Sequence, residues 1–184
     1  MIIVKLGGSL SHSDALINCL TSVEKNYRGR AVVIVPGGGA FADQVRSVQQ
    51  RWRIDDTTAH RMAILAMQQM ALLFNGIKGD IAVAHTVAEI RQQLQRQQPV
   101  IWSPDNTELE CAGIPASWDI SSDSLAAWLA KTLAAAELIL VKSAAIDASL
   151  SLAQLAQKGI IDSGFCDAVR QATFKIQVVN QQYF

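Results

Sequence analysis

MIIVKLGGSL (residues 1–10) and VVIVPGGGAFAD (residues 32–43) repeat one arrangement: a short apolar run, a cluster of glycines, then the start of a helical pattern. A run apolar at nearly every position reads as an interior strand of a parallel sheet, because alternate side chains leave a strand on opposite faces and both faces are then covered. Glycines at the exit of such a strand leave the backbone bare. N–H groups can then approach an anion, and the helix that follows adds the positive end of its dipole. Lys5, two residues before the first glycine, brings a full charge able to follow oxygens that move during group transfer. The plainer reading of this stretch is a βα turn with Lys5 facing solvent.

Similar runs recur at 80–84 (DIAVA), 99–102 (PVIW), 138–142 (LILVK) and 174–179 (FKIQVV). Between the runs, Leu16, Ile17, Leu20 and Val23 share one helical face, and Phe41, Val45, Val48 and Trp52 share another. Residues 57–75 and 125–135 read as further helices, and Thr86 with Glu89 forms a capping box ahead of Val87, Ile90 and Leu94. Strands alternating with helices are βαβ units, so the expected fold is α/β around a mostly parallel sheet. Segment 103–121 holds two of the four prolines and no sustained period. It reads as a loop or short irregular strands, and a loop of that length in a compact domain is usually functional. The Gln-rich patch at 92–98 is expected on the wet face of a helix.

The bulk numbers exclude several classes. At 184 residues the chain suits a single domain, residues 1–184. Sixteen basic and sixteen acidic side chains cancel, so the broad positive field of a nucleic-acid binder is absent. Cys19, Cys111 and Cys166 are scattered with no CxxC pair, which argues against a disulfide framework and a zinc knuckle and leaves no metal site. The opening apolar stretch is too short for a signal peptide or a membrane span, so a cytoplasmic location with no membrane partner is expected.

In an open parallel sheet ligands sit beyond the carboxyl ends of the strands. Gly7–Ser9, Pro36–Gly39, Ser103–Asp105 and Lys142–Ser143 occupy such ends and are predicted to meet along one edge. The segment Trp118–Ser124, WDISSDS, adds a third element before a helix. Ser121 or Ser122 suits the N-cap, and Asp123 complements the helix dipole; the same carboxylate is also placed to pair with Lys5 and aim it. Gly37-x-Gly39-x-x-Ala42, with Asp55 and Asp56 downstream, fits the dinucleotide fingerprint, which keeps a dinucleotide-dependent oxidoreductase open as an alternative. His60 and Arg61 begin the third helix, where Arg suits bidentate contact with an acceptor phosphate; a surface ion pair explains Arg61 as well. Met62, Leu65, Met67 and Met70 read as core or subunit contact, and Trp52, Trp102 and Trp128 as packing residues. Trp118 is expected to wall a flat ring.

Taken together, KLGGS at the N-terminus, VPGGGAFAD one βα unit later and the SSDS turn before a helix resemble the amino acid kinase superfamily, over residues 1 to about 143. PGGGAFADQVR, AHRMAILAMQQM and WDISSDSLAAWLA look most like its aminomethylfuran phosphate kinases of methanofuran biosynthesis. The resemblance implies a three-layer αβα sandwich and a kinase that uses Mg2+ and ATP on a phosphorylated small molecule, within a homo-oligomer. It implies that Lys5 stabilises the transferred group, that Asp123 orients Lys5, and that Gly7, Gly8 and Ser9 line the nucleotide phosphates. Gly37, Gly38 and Gly39 would present N–H groups to the acceptor, with His60, Arg61, Trp118 and Ser122 completing its site. The chain departs from the family after the LILV strand. Members usually carry Thr-Asp-x-Asp-Gly there, whereas this chain reads KSAAIDASLS, with Asp147 as the remaining acid, and its nucleotide-binding part (about 137–184) is shortened. Lys142 is the candidate substitute for the family's second catalytic lysine, reaching the phosphates from another position; a solvent-facing strand end is the alternative reading. A catalytically depleted ligand-binding protein or complex subunit is the rival that this departure raises.

Overall fold

A computed structural model describes residues 1–184 and arranges six strands in one sheet in which every pairing is parallel. The strands are β1 (Ile2–Leu6), β2 (Val32–Pro36), β3 (Ala82–Ala84), β4 (Val100–Trp102), β5 (Glu137–Lys142) and β6 (Lys175–Asn180), in the spatial order β3-β4-β2-β1-β5-β6. All six apolar runs are therefore strands. The chain first builds outward from β1 through β2 and later returns to lay β5 along the other side of β1. That makes the carboxyl end of β1 the switch point, where an open α/β sheet leaves a crevice.

Helices cover both faces, so the fold is the expected αβα sandwich. α1 (Ala15–Asn26), α2 (Gly39–Trp52), α3 (Asp56–Ile77), α4 (Val87–Leu94), α5 (Asn106–Cys111), α6 (Ser122–Thr132), α7 (Leu152–Gln157) and α8 (Phe165–Ala168) follow in chain order among the strands. One core layer takes Ile2, Val4 and Leu6 of β1 with Leu16, Leu20 and Val23 of α1. The opposite layer takes Ile3 of β1 and Leu138 and Leu140 of β5 with Leu125, Ala126, Leu129 and Ala130 of α6. Strand alternation then puts Lys5 two positions beyond Ile3, and Lys142 two positions beyond Leu140, on the α6 face. α6 is buried nearly all round, as its run of Leu and Ala at 125–130 requires, so its first turn is held rigidly over the sheet.

Several expectations change in detail. Segment 103–121 contains no strand; it forms the short helix α5, whose start is set by Asp105, which accepts the Glu108 N–H at 2.8 Å. Thr86 caps α4 by accepting the Glu89 N–H, but the Glu89 carboxylate reaches one residue further back, to the His85 N–H at 2.7 Å. Trp102 is fully buried and stacks on Trp128, whereas Trp52 is 67% exposed and does not pack. Phe41, Ile17 and Leu65 are exposed as well, because α2, α1 and α3 each show solvent part of the face that their periodicity marks as apolar. The Gln patch begins in α4 and runs past its end through Gln97, which takes a left-handed φ of 52°.

Candidate active site

Lys5 and Asp123 meet. The Lys5 ammonium lies 2.8 Å from Asp123 Oδ1, an ion pair without the alignment of a hydrogen bond, and both side chains are almost completely buried. Lys142 donates to Asp123 Oδ2 at 2.6 Å, so the strand-end reading of Lys142 as solvent-facing does not hold. One carboxylate thus bridges two ammonium groups that arrive from adjacent strands on the same face. The geometry follows from register: Lys5 lies opposite Leu140, and Lys142 is two residues further along β5, beside Gly7. Burial pushes the Asp123 carboxyl up, and the charges of Lys5 and Lys142 outweigh it and hold it below its usual 3.8. Burial first, then the charge of Lys5, pulls the Lys142 ammonium down to about 8.

The start of α6 is capped from a distance. The Ser121 and Ser124 N–H groups and hydroxyls all donate to the carboxylate of Asp162, with Ser121 N at 2.9 Å and Ser124 N at 3.0 Å. Neither Ser121 nor Ser122 caps the helix with its own side chain; Ser122 is buried and lines the same cavity as Gly38 and Gly39. The Asp162 N–H in turn donates to Asp123 Oδ2 at 3.2 Å. Segment 158–164 is therefore strapped onto the two-lysine cluster, a role that no local pattern announces, since Asp162 is about forty residues from its partners.

The two glycine turns pack backbone on backbone. A Cβ on Gly8 would overlap Gly39, and one on Gly37 would overlap Gly8, so these glycines are required by each other before any ligand is considered. Gly39 also takes a left-handed φ of 54° as α2 begins. The Gly7 N–H donates to Val141 O and the Gly37 N–H to Leu6 O, each at 2.9 Å, so both are spent on extending the sheet. Gly8 and Gly38 give their N–H groups to no backbone acceptor; with Ser9 and Gly39 they line a cavity of about 250 Å³. Ser9 also shares a hydroxyl hydrogen bond with Ser143 at 2.7 Å.

That cavity is closed on its other sides by His60, Ile64 and Met67 of α3, by Trp118 and Ser122, and by Leu125 of α6. Beside it a more open cavity of about 370 Å³ is lined by Lys5, Asp123, Lys142, Ala156 and residues 159–163. His60 is half-buried, its Nε2 has no hydrogen-bond partner, and burial holds its pKa below the usual 6.5. The residue is part of the cavity lining, while Nε2 itself is covered. Arg61 turns away to the surface, where it pairs with Glu110 at 2.6 Å, and it lines neither cavity. Trp118 has one indole face covered by Arg46, whose Cζ is 3.8 Å from the ring centroid, so only the other face is left to wall a flat ring.

Other candidates stay outside. Ser103–Asp105 line neither cavity, and Asp147 is tied into a local turn by Ser149 at 2.9 Å. Asp55 caps α3 by accepting the Thr58 N–H at 2.8 Å; Asp56, at the start of that helix, does reach the glycine-walled cavity, where it accepts from Gln49 Nε2 at 2.8 Å. Of the two acids that the dinucleotide reading relied on, Asp55 is spent on the helix cap and Asp56 is engaged by Gln49. Arg46 and Asp162 escaped the sequence reading. A signal for Arg46 existed: Gly39, Ala42, Asp43 and Arg46 follow helical spacing from the triple glycine and share one face, which lines the cavity.

No three His, Cys, Asp or Glu side chains gather in ligating positions. Asp123 is held by two lysines and Asp162 by two serines, so neither offers a free carboxylate to a divalent cation.

The model of the amino acid kinase family matches residues 1–145 of this chain. The chain is 31% identical over 141 residues to the [5-(aminomethyl)furan-3-yl]methyl phosphate kinase of Methanocaldococcus jannaschii, a match covering 76% of this chain and 64% of that relative. Among solved structures it is similar to the uridylate kinase of Archaeoglobus fulgidus, with a TM-score of 0.75 at 19% identity over 97% of this chain and 90% of that one. It is also similar to the aspartate kinase of Synechocystis, with a TM-score of 0.73 at 14% identity over 99% of this chain and 38% of that one. At those identities the likeness is one of fold.

Proposed function

The chain belongs to the amino acid kinase family, and from that premise we propose that it is a phosphotransferase carrying the γ-phosphoryl group of ATP to the phosphate of a small acceptor of the aminomethylfuran phosphate class. The observation that carries this reading is the buried Lys5–Asp123–Lys142 cluster at the switch point of the sheet. It stands beside a cavity lined by free backbone N–H groups and the amino end of α2. An acceptor phosphate oxygen attacks the γ-phosphorus, a new P–O bond forms, and the bond to the β–γ bridging oxygen breaks with its electron pair leaving on ADP. The attacking oxygen is already ionised, so no general base is required, and catalysis rests on positioning and charge neutralisation. Lys5 and Lys142 take the charge that shifts during transfer, and Asp123 sets the distance between them. Gly8, Ser9, Gly38 and Gly39 hold phosphate oxygens through their N–H groups, and the His60 ring walls the acceptor's side of the cavity. Mg2+ would be carried by the nucleotide phosphates, since neither Asp123 nor Asp162 is free to hold it.

The test is a phosphoryl-transfer assay with Mg-ATP and aminomethylfuran phosphate beside other phosphate monoesters, with calorimetry for ATP binding. ADP formation that depends on a phosphate monoester is expected. No nucleotide binding would instead favour a ligand-binding protein or complex subunit. A specific observation motivates that second reading: Lys142 and Ser143 stand where the family resemblance places Thr-Asp.

Lys142 also makes the reading sensitive to pH. With its ammonium at about 8, kcat/KM is expected to fall as pH rises through that value. In kcat the limb should lie higher, because bound phosphates favour the charged form. Lys142→Arg should remove the limb. The linkage runs the other way for stability. The folded-state value lies below the ordinary 10.5, so the unfolded chain holds this proton longer, and the group adds stability as pH climbs from about 8 to 10.5. Activity falling while this contribution rises separates titration from unfolding; a flat profile in the wild type would remove Lys142 from the mechanism.

A further inference from the structure

Arg46 projects from α2 two helical turns beyond Gly39 and lies in the lining of both cavities, the one walled by the glycine turns and the one holding the lysines. Its guanidinium is stacked on the Trp118 indole, with Cζ 3.8 Å from the centroid. The indole is fixed in turn, because Trp118 Nε1–H donates to Gln49 Oε1, and Gln49 Nε2 donates to Asp56 at 2.8 Å. Arg46 makes no ion pair and no hydrogen bond within the protein. Arg61, the other arginine considered for phosphate contact, turns away from the site and is spent on Glu110. A guanidinium seated over an aromatic face gives up rotational freedom before a ligand arrives. Its five N–H donors stay at the edge, in the fork geometry that matches a phosphate bidentately.

We propose that Arg46 clamps the acceptor phosphate at the boundary between the two cavities and keeps hold of it as it becomes part of a diphosphate. The inference rests on the kinase reading above and deepens it: the acceptor class is set to phosphate monoesters by a stacked arginine, and the lysines are left to the moving phosphoryl group. Trp118 acts through Arg46 as a positioning residue. A hydroxyl acceptor presents no dianion to this clamp, and a single carboxylate presents less charge and fewer oxygens.

The experiment compares the full-length wild type with Arg46→Gln, Arg46→Lys and Arg46→Ala. Calorimetry with aminomethylfuran phosphate and with inorganic diphosphate, both without nucleotide, should show binding weakened about 10- to 100-fold in Arg46→Gln, the range for losing hydrogen bonds to a charged group. Arg46→Lys should recover only part of it, because an ammonium cannot stack and fork together. In turnover, KM for the acceptor should rise while KM for ATP stays near wild type, and added guanidinium ion should partly restore Arg46→Ala. Urea midpoints of all three variants are expected near wild type, since the side chain is exposed and unpaired. Equal binding of both phosphate probes by wild type and Arg46→Gln would overturn the proposal, as would a wild type that binds neither. A wild type that binds them through Arg46 yet transfers nothing would overturn the kinase reading and leave the clamp standing.

Discussion

Asp123→Asn is expected to cost about 3–5 kcal/mol of folding stability at neutral pH, the range for removing one partner of a buried ion pair, and to lower kcat about 10²- to 10³-fold. The amide keeps the shape and loses the charge, so Lys5 and Lys142 would face each other across a buried site with nothing to balance them. The pH dependence distinguishes this cause from simple misfit. In the wild type the Asp123 carboxyl is held below its ordinary 3.8, so its contribution is present above that value and is lost as pH falls through the folded-state value. The Asn variant lacks that acid limb. Its Lys142 loses the carboxylate charge that raises it and so gives up its proton more readily than in the wild type, so the deficit should narrow as pH rises. Urea unfolding from acid to alkaline pH measures both effects; an unchanged midpoint at neutral pH would show that the two ammonium groups do not depend on Asp123.

For Lys5→Met turnover is expected to fall about 10³-fold as well, but the fold tolerates the change. Met nearly matches the volume of the buried chain, and Asp123 keeps Lys142 as its partner. A group that acts on the moving charge lowers kcat and leaves KM for ATP near wild type. A second readout is independent of turnover. The charge of Lys5 is among the causes that pull Lys142 down to about 8, so removing it should let the Lys142 ammonium titrate higher, as followed by NMR of the labelled lysine side chain. Wild-type turnover in Lys5→Met would remove this residue from the chemistry.

The Lys5–Asp123 pairing at the heart of the candidate site was legible because its signals are local. Lys5 stands at the end of an apolar run, two residues before a glycine pair, and Asp123 stands in the first turn of a helix; each pattern identifies a strand exit or a helix start without long-range information. The reason for Gly8 and Gly37 was read only in part. Bare backbone points to an anion, yet these two glycines first make room for each other, a contact between segments about thirty residues apart. Arg61 illustrates the opposite error. Its chemistry suits phosphate, but the direction of the side chain is decided by Glu110 on α5, a helix that periodicity did not disclose.

What the amino-acid sequence determined by itself is the succession of strands and helices and the placement of charge at their ends, because hydrophobic period, glycine and capping residues act over a few neighbouring positions. What only the tertiary structure decided is which ends meet. Strand order and register set Lys142 beside Lys5, the return of segment 158–164 brings Asp162 to α6, and the packing of α2 against Trp118 leaves Arg46 stacked and unpaired. Those outcomes depend on contacts between residues far apart in the chain, whose free energies belong to the packed fold as a whole and are written in no single stretch of it.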